Sequence, residues 1–347
     1  MNASVKKIDL QFISPGQTSR GTLYSKPSWI ITLSDGDYEG TGECSVIPGL
    51  SPEYVAGYEE KVTQIVDAVN NGTPPVMSSL AHLPSVIFGL ETAFADLKHK
   101  QQGVLFPSPF TEGMKGIPIN GLIWMGSIEQ MKCRISEKIE EGFGVLKLKI
   151  GALQFEEEVA LLTAIRKEFP PSDLEIRLDA NGAFQPNAAL EKLKTLSDFT
   201  IHSIEQPIKP GQLNEMAAVC REAPIAIALD EELIGVNDPD EKARVMDIIQ
   251  PDYIILKPSL IGGFQSAQEW IQLADQSGTG WWATSALESN IGLNAIAQWV
   301  FTMQPSMVQG LGTGKVFSNN ISSPLYLKGP VLWYDPNMIW GDEFNAD

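Results

Sequence analysis

The sequence is poor in the side chains that most often do chemistry at neutral pH: 347 residues contain three histidines and three cysteines. His82, His99 and His202 are scattered, and His202 stands three residues before Glu205 in an apolar run, so strand parity turns it to the opposite face. None of the three is read as a base. Cys44, Cys133 and Cys220 show neither metal nor redox spacing and read as reduced thiols, Cys220 as core. Positive charge is scarce as well. Lys and Arg number 25 against 43 Asp and Glu, a net charge of −18 that disfavours nucleic acid or an anionic membrane as partner. No apolar run approaches the ~18 residues that span a bilayer. The lysines at positions 6 and 7 have no apolar h-region behind them, so a cytoplasmic protein is expected. There is no GxGxxG and no P-loop, so no nucleotide is implied.

What is present is a repeating unit. Five short apolar runs, 145–149, 175–179, 201–205, 226–230 and 253–257, end in Lys149, Asp179, Glu205, Asp230 and Lys257, spaced 25 to 30 residues apart. That is the period of a strand plus a helix. Amphipathic segments fill the gaps: Phe155, Val159, Leu162 and Ile165 share one face, and Leu213, Met216, Ala217 and Cys220 another. Strand, helix, strand at constant period implies parallel strands with right-handed crossovers, so all five charges gather at the carboxyl end of the sheet. Lys147, two residues before Lys149, points the same way.

Three converging carboxylates repel one another unless a cation neutralises them, and oxygen-only ligands suit a hard divalent ion such as Mg²⁺. Lys149 and Lys257 come from strands on either side of the carboxylate strands and face each other in a closed ring. A metal-carboxylate centre between two amines suits removal of a proton from carbon next to a carboxylate, which makes a small-molecule carboxylate the expected partner. Each motif alone has a bland reading. A Lys-x-Lys is usually a solvated edge, Asp-Ala-Asn at 179–181 an Asx turn, and Glu-Gln-Pro at 205–207 a turn before a helix. The conjunction argues for function, because buried charge is costly unless paired or metal-bound.

Around this core the pattern changes. Ile8, Leu10 and Phe12 alternate, 29–33 reads as a second strand, and Asp35-Gly36 turns into a strand over 38–46. Ser51-Pro52 is expected to start a helix that Gly72 ends, and another begins near Pro84. Segments 117–124, 281–285 and 307–311 read as the first, seventh and eighth barrel strands, with a helix over 291–303.

The constellation resembles the enolase superfamily, which uses a lysine base with one or two Mg²⁺ ions. The Lys147/Lys149 pair resembles its muconate-lactonising branch. The resemblance implies a (β/α)7β TIM-like barrel over 111–321, lacking its last helix, and an α+β capping domain over 1–110 completed by 322–347. It implies Lys149 as acid/base with Lys257 opposite, and Asp179, Glu205 and Asp230 as ligands of Mg²⁺, for which Mn²⁺ can substitute. Lys147 would bind the substrate carboxylate or neutralise a ligand, with Asn181 and Glu231 supporting the site from behind.

Within the branch, 283–292, which carries Ser285-Ala-Leu-Glu-Ser289, resembles the o-succinylbenzoate synthases. Leu311-Gly-Thr-Gly314 lacks the Asp-x-Asp by which dipeptide epimerases hold an ammonium. With Val316 to Asn320 it resembles the synthases of Bacteroidetes-type bacteria. The activity so implied is dehydration of a cyclohexadiene carboxylate in menaquinone biosynthesis. An N-acylamino acid racemase or dipeptide epimerase of the same branch is the alternative, and a non-enzymatic barrel the other class. Ser285, Glu288 and Gly262 are the expected substrate contacts. So is Arg20, in the turn-rich stretch 14–21, facing a second substrate carboxylate. The sequence leaves self-association into a homo-oligomer open.

Overall fold

The computed structural model describes residues 1–18, 21–100, 103–124 and 126–342. β1 (Asn2–Thr18), β2 (Gly21–Ser34) and β3 (Glu39–Ser45) form an antiparallel sheet in that order. The Asp35-Gly36 turn is as expected: Asp35 Oδ1 accepts the N–H groups of Asp37 at 3.0 Å and Tyr38 at 2.9 Å, and Gly36 takes φ 104°. The stretch 14–21, expected as a loop, is instead the outer part of the hairpin as far as it is described. The β1–β2 register shifts between Gln11 and Gly16, around Pro15, which has no N–H for the ladder. The freed edge pairs elsewhere. Ile13 N–H bonds the Val316 carbonyl at 2.9 Å and Phe12 bridges Phe317, which ties the hairpin to the segment following the last barrel strand.

Ser51 does not begin a helix. Its hydroxyl accepts the Ile47 N–H at 2.9 Å and closes a turn, and α1 (Tyr58–Asn70) starts only behind Gly57, at φ 86°. α2 (Pro84–His99) lies so close on β3 that a Cβ on Gly42 would meet the Gly89 carbonyl oxygen at 1.9 Å. Trp29, Ile31, Val62, Val69, Leu90 and Ala93 form a core of their own beneath these helices.

The expected first barrel strand divides in two. β4 (Ile117–Pro118) pairs antiparallel with the tail, and β5 (Gly121–Ile123) opens the barrel. The units then alternate: α3 (Ile128–Glu140), β6 (Val145–Lys149), α4 (Phe155–Glu168), β7 (Glu175–Asp179), α5 (Pro186–Ser197), β8 (Ser203–Glu205), α6 (Leu213–Glu222), β9 (Ala226–Leu229), α7 (Pro239–Ile249), β10 (Tyr253–Leu256), α8 (Pro258–Ile261), α9 (Gly263–Ser277), β11 (Gly280–Ala283) and α10 (Asn290–Thr302). β5 to β11 make one parallel sheet in sequence order. The eighth strand is reduced to Gln309 and Gly310, whose parallel bridges to Ile119 and Thr284 close the ring. Among the described residues no helix follows it, which gives the expected (β/α)7β barrel. β12 (Leu325–Lys328) pairs with β13 (Val331–Tyr334), and β13 with β4, not with the β1–β3 sheet.

Alternate residues of the barrel strands point inward, in two layers. The lower layer, at the amino ends, is a cation and a stack of rings. The Arg177 guanidinium lies 4.6 Å from the Trp282 ring, donates to Glu175 Oε1 at 2.8 Å and to the Val308 carbonyl at 2.9 Å. The His202 ring stacks on Tyr253 at 5.1 Å. Parity placed His202 on the outer face; β8 begins only at Ser203, so the alternation does not reach it, and the ring turns under the barrel. It is remote from Glu205's end all the same, and is no base for the site.

Candidate active site

At the carboxyl ends of the strands, Lys149, Asp179 and Glu205 are register neighbours across β6, β7 and β8, and Asp230 and Lys257 lie just past the ends of β9 and β10. The five expected residues therefore share one layer, and Lys147, whose register partner is Arg177 in the layer below, reaches it with its ammonium group. Lys147 Nζ is 3.0 Å from Asp179 Oδ2 and ion-paired with Glu205 Oε2. Lys149 Nζ donates to Asp179 Oδ2 and Asn181 Oδ1, each at 2.7 Å. On the far side Lys257 Nζ is ion-paired with Asp230 Oδ2 and 3.9 Å from Glu205 Oε1. Asn181 Nδ2 donates to Glu231 Oε1 at 3.0 Å, and both residues, expected behind the site, line the cavity above this layer.

The electrostatics follow from burial against this interleaving. Asp179, Glu205 and Asp230 are all buried. Burial alone raises the Asp179 pKa, but Lys147, Lys149 and Lys257 outweigh it and hold the carboxyl below its ordinary range. Asp230 behaves likewise, with Lys257 the strongest opponent of burial. Glu205, in the middle, is pushed well above the carboxylate range by burial and then by Asp179. For Lys147, burial pulls the pKa down and Asp179, Glu205 and Asp230 pull it up by more.

A hard cation fits this donor set on a specific observation. Glu205 Oε1 and Asp230 Oδ1 are buried and have no hydrogen-bond partner, although each belongs to a side chain ringed by charge. Orphaned carboxylate oxygens of this kind are costly unless something else takes them up. With the ammonium groups lying between the carboxylates, no trio of His, Cys, Asp or Glu among the described residues is gathered around one point. Lys147 and Lys257 are paired with the other oxygens of these two carboxylates, Glu205 Oε2 and Asp230 Oδ2.

The charged layer forms the floor of a cavity of about 310 Å³ whose roof comes from the N-terminal sheet and its loops: Thr22, Leu23, Ile47, Pro48 and Leu50. Thr284 to Leu287 and Thr313 form one wall. Of the expected substrate contacts, Ser285 lies on that wall. Glu288 does not; it is fully buried behind it. Gly262 does not either, because it terminates α8 at φ 96°, and the amides that follow, of Phe264 and Gln265, are taken by the Glu91 carboxylate rather than left for a ligand. Arg20 lies outside the described residues.

Two residues were missed. Asn120 lines the cavity with its Oδ1 buried and unpartnered, a polar residue in the apolar run Ile117-Pro-Ile-Asn that could have been noticed. Gln206, fully buried at φ 40°, accepts the N–H groups of Asp230 and Glu232 at 3.2 Å each and so ties the end of β8 to that of β9. Nothing in the local sequence distinguished it from a turn residue.

Residues 130–323 match the family model described as enolase C-terminal domain-like, and residues 18–97 that of the MenC N-terminal domain. An o-succinylbenzoate synthase of Desulfotalea psychrophila is 46% identical over 96% of this chain and 98% of its own. The crystal structure of MenC from that organism superposes with a TM-score of 0.81 at 44% identity, covering 96% of this chain and 99% of that one. A dipeptide epimerase from Enterococcus faecalis, complexed with Mg and L-Leu-L-Tyr, superposes at 0.82 with 21% identity over 96% of both chains, a likeness of fold. No helix among the described residues is long and apolar enough to cross a membrane. Full-length identity at this level, with both halves matched in order, places the chain in the o-succinylbenzoate synthase family of the enolase superfamily.

Proposed function

We propose that the chain catalyses the Mg²⁺-dependent syn-dehydration of 2-succinyl-6-hydroxy-2,4-cyclohexadiene-1-carboxylate to 2-succinylbenzoate in menaquinone biosynthesis. The observation that carries this reading is the ring of lysines and carboxylates on the floor of a cavity, in a chain 46% identical to a synthase over nearly its whole length. Asp179, Glu205 and Asp230 would hold the Mg²⁺ ion, whose charge offsets the negative charge that builds on the substrate carboxylate as the proton leaves. Mn²⁺ meets the same oxygen donors.

Lys149 takes the proton from the carbon alpha to that carboxylate. It then returns a proton to the departing hydroxyl as the C–O bond breaks, so water leaves from the face the base attacked and the ring becomes aromatic. One side chain doing both steps requires syn geometry. Lys257, across the carboxylates, stays protonated and stabilises the same charge from the other face, with a cation–π contact as the ring forms. Lys147, bridging Asp179 and Glu205, neutralises metal ligands more readily than it reaches substrate. Asn181, itself held by Glu231, orients Lys149 from the cavity wall. The same two lysines would also serve a racemase, but 311–314 offers no carboxylate for a dipeptide ammonium. We take 1–110 as the cap and 111–321 as the catalytic barrel, a division supported by the separate core of the N-terminal helices, while the tail expected to complete the cap pairs with β4 instead.

The test is incubation with the cyclohexadiene carboxylate and with N-acylamino acids in D₂O containing Mg²⁺, followed by NMR. Loss of water with the first is expected. Solvent exchange in the second without any dehydration of the first would replace the reading with a racemase.

A further inference from the structure

Glu288 is a fully buried carboxylate for which no direct ion pair is present among the described residues, an arrangement that costs several kcal/mol unless hydrogen bonds satisfy it. They do. Its Oε1 accepts the Ser259 hydroxyl, and its Oε2 accepts the Ser285 hydroxyl at 2.6 Å and the Ala286 N–H at 2.8 Å. Ser285 is thereby fully committed: its hydrogen goes to Glu288, and its oxygen accepts from Thr313 Oγ1 at 2.7 Å and Leu287 N–H at 3.1 Å. Because the Thr313 hydrogen is spent on Ser285, the Thr313 oxygen meets the cavity as an acceptor only.

This wall is strained. Leu287 sits at φ 63°, a conformation a leucine holds only when its surroundings impose it, at ~1–3 kcal/mol. Its neighbours on both sides are clamped. Glu288 grips the near end, and at the far end Glu43 of β3, also fully buried, accepts Ser289 N–H at 3.0 Å, Ser289 Oγ at 2.6 Å and Gly292 N–H at 3.1 Å. Behind Glu43 stand Ser28, donating at 2.7 Å, and buried Lys26, donating to Ser28 at 2.8 Å. Through Ser259, Glu288 also reaches the segment two residues past Lys257.

We propose that Glu288 is a positioning residue, not a substrate contact: it holds the 284–287 wall and the Ser285–Thr313 hydroxyl pair in the orientation that substrate meets, while Glu43 makes that orientation depend on how the N-terminal sheet is seated. The proposal rests on the reading of the cavity as the dehydration site. It explains why an acidic side chain is kept where an apolar one would be cheaper.

The experiment is a double-mutant cycle on steady-state dehydration, with circular dichroism confirming the fold. Glu288→Leu raises KM about tenfold while kcat falls less than about threefold, and beside Ser285→Ala the same change costs less than about twofold, because its effect passes through Ser285. Glu288→Gln, whose amide oxygen still accepts from Ser285 and Ala286, restores KM to within about twofold of wild type. Equal KM penalties for Glu288→Leu in both backgrounds would overturn the proposal, since a merely structural role is additive. So would a glutamine variant as impaired as the leucine one. Should Glu288→Leu not fold, Glu43→Gln carries the cycle: about a threefold rise in KM that vanishes beside Ser285→Ala supports the proposal, and an unchanged rise overturns it. Lack of wild-type turnover sinks the dehydration reading together with this one, and is distinct from additive penalties in an active enzyme.

Discussion

The two ends of the barrel interior are built from the same strands, two residues apart, yet they treat charge in opposite ways. At the lower end Arg177 is paired with Glu175, bonded to the Val308 carbonyl and stacked on Trp282. Its needs are met within the protein. At the upper end three carboxylates and three ammonium groups are packed together, and Glu205 Oε1 and Asp230 Oδ1 still receive no hydrogen bond from a nitrogen or hydroxyl donor. Charge that is complete stabilises; charge left incomplete in the dry interior is a place made for something not in the chain. The step from Arg177 to Asp179 along one strand crosses from the first situation to the second.

The sharpest way to break this contrast is at Lys149. Lys149→Ala is expected to lower dehydration on the order of 10⁴-fold and to abolish solvent exchange at the alpha carbon, because proton removal and return pass through one amine. Lys257→Ala should also stop turnover while leaving weak exchange. An active Lys149→Ala enzyme would mean the two lysines have been assigned the wrong way round.

Next in size is Glu205→Gln, which replaces one carboxyl oxygen of the proposed ion site without changing shape. A loss on the order of 10³-fold, with weakened Mg²⁺ binding by calorimetry and an unchanged circular dichroism spectrum, is expected. Full activity of the wild-type protein in EDTA would remove the ion from the account.

At the lower end the expectation reverses. Arg177→Met should cost about 2–3 kcal/mol in denaturant unfolding, from lost hydrogen bonds and the cation–π contact, while kcat/KM of the folded enzyme stays within about twofold. A large fall in kcat without loss of stability would mean that the two layers are not functionally separate.

The smallest effect tests whether an orphaned carboxylate oxygen by itself signals function. Glu53 near α1 has a buried, unpartnered Oε2, and burial pushes its carboxyl up to about 7, against the Ser85 contacts that lower it. The folded chain thus keeps a proton that the unfolded chain, near 4.5, releases. The stability tied to this group is complete below about pH 4.5 and is lost as pH rises through about 7. Glu53→Gln should match wild type at pH 4 and exceed it by ~1–3 kcal/mol at pH 8, with turnover unaffected. A gap independent of pH would mean that Glu53 is not the titrating group. The pH-dependent gap with unchanged turnover would show that an orphaned oxygen without neighbouring carboxylates is strain rather than a site.

The sequence made the upper layer legible because its signals are local and periodic. Strand parity orients Lys147 with Lys149, and one helix-length between charges puts every one of them at the same end of a parallel sheet. Given that spacing, Lys149, Asp179, Glu205, Asp230 and Lys257 needed no distant partner to be recognised. Elsewhere the outcome depended on groups far along the chain. Ser51 could cap a helix or close a turn, and the Ile47 amide decided it. Gly262-Gly263 offers the same backbone freedom to an anion-binding loop or a helix junction, and Glu91, more than 170 residues away, fills the place an anion would take. Glu288 reads as a contact from its motif, yet Ser259 and Ser285 turn its side chain away from the cavity and behind the wall. Periodicity is a property of the backbone and survives any packing. The direction a single polar side chain finally takes is set by which buried donors must be satisfied, and those are brought together only when the chain has folded.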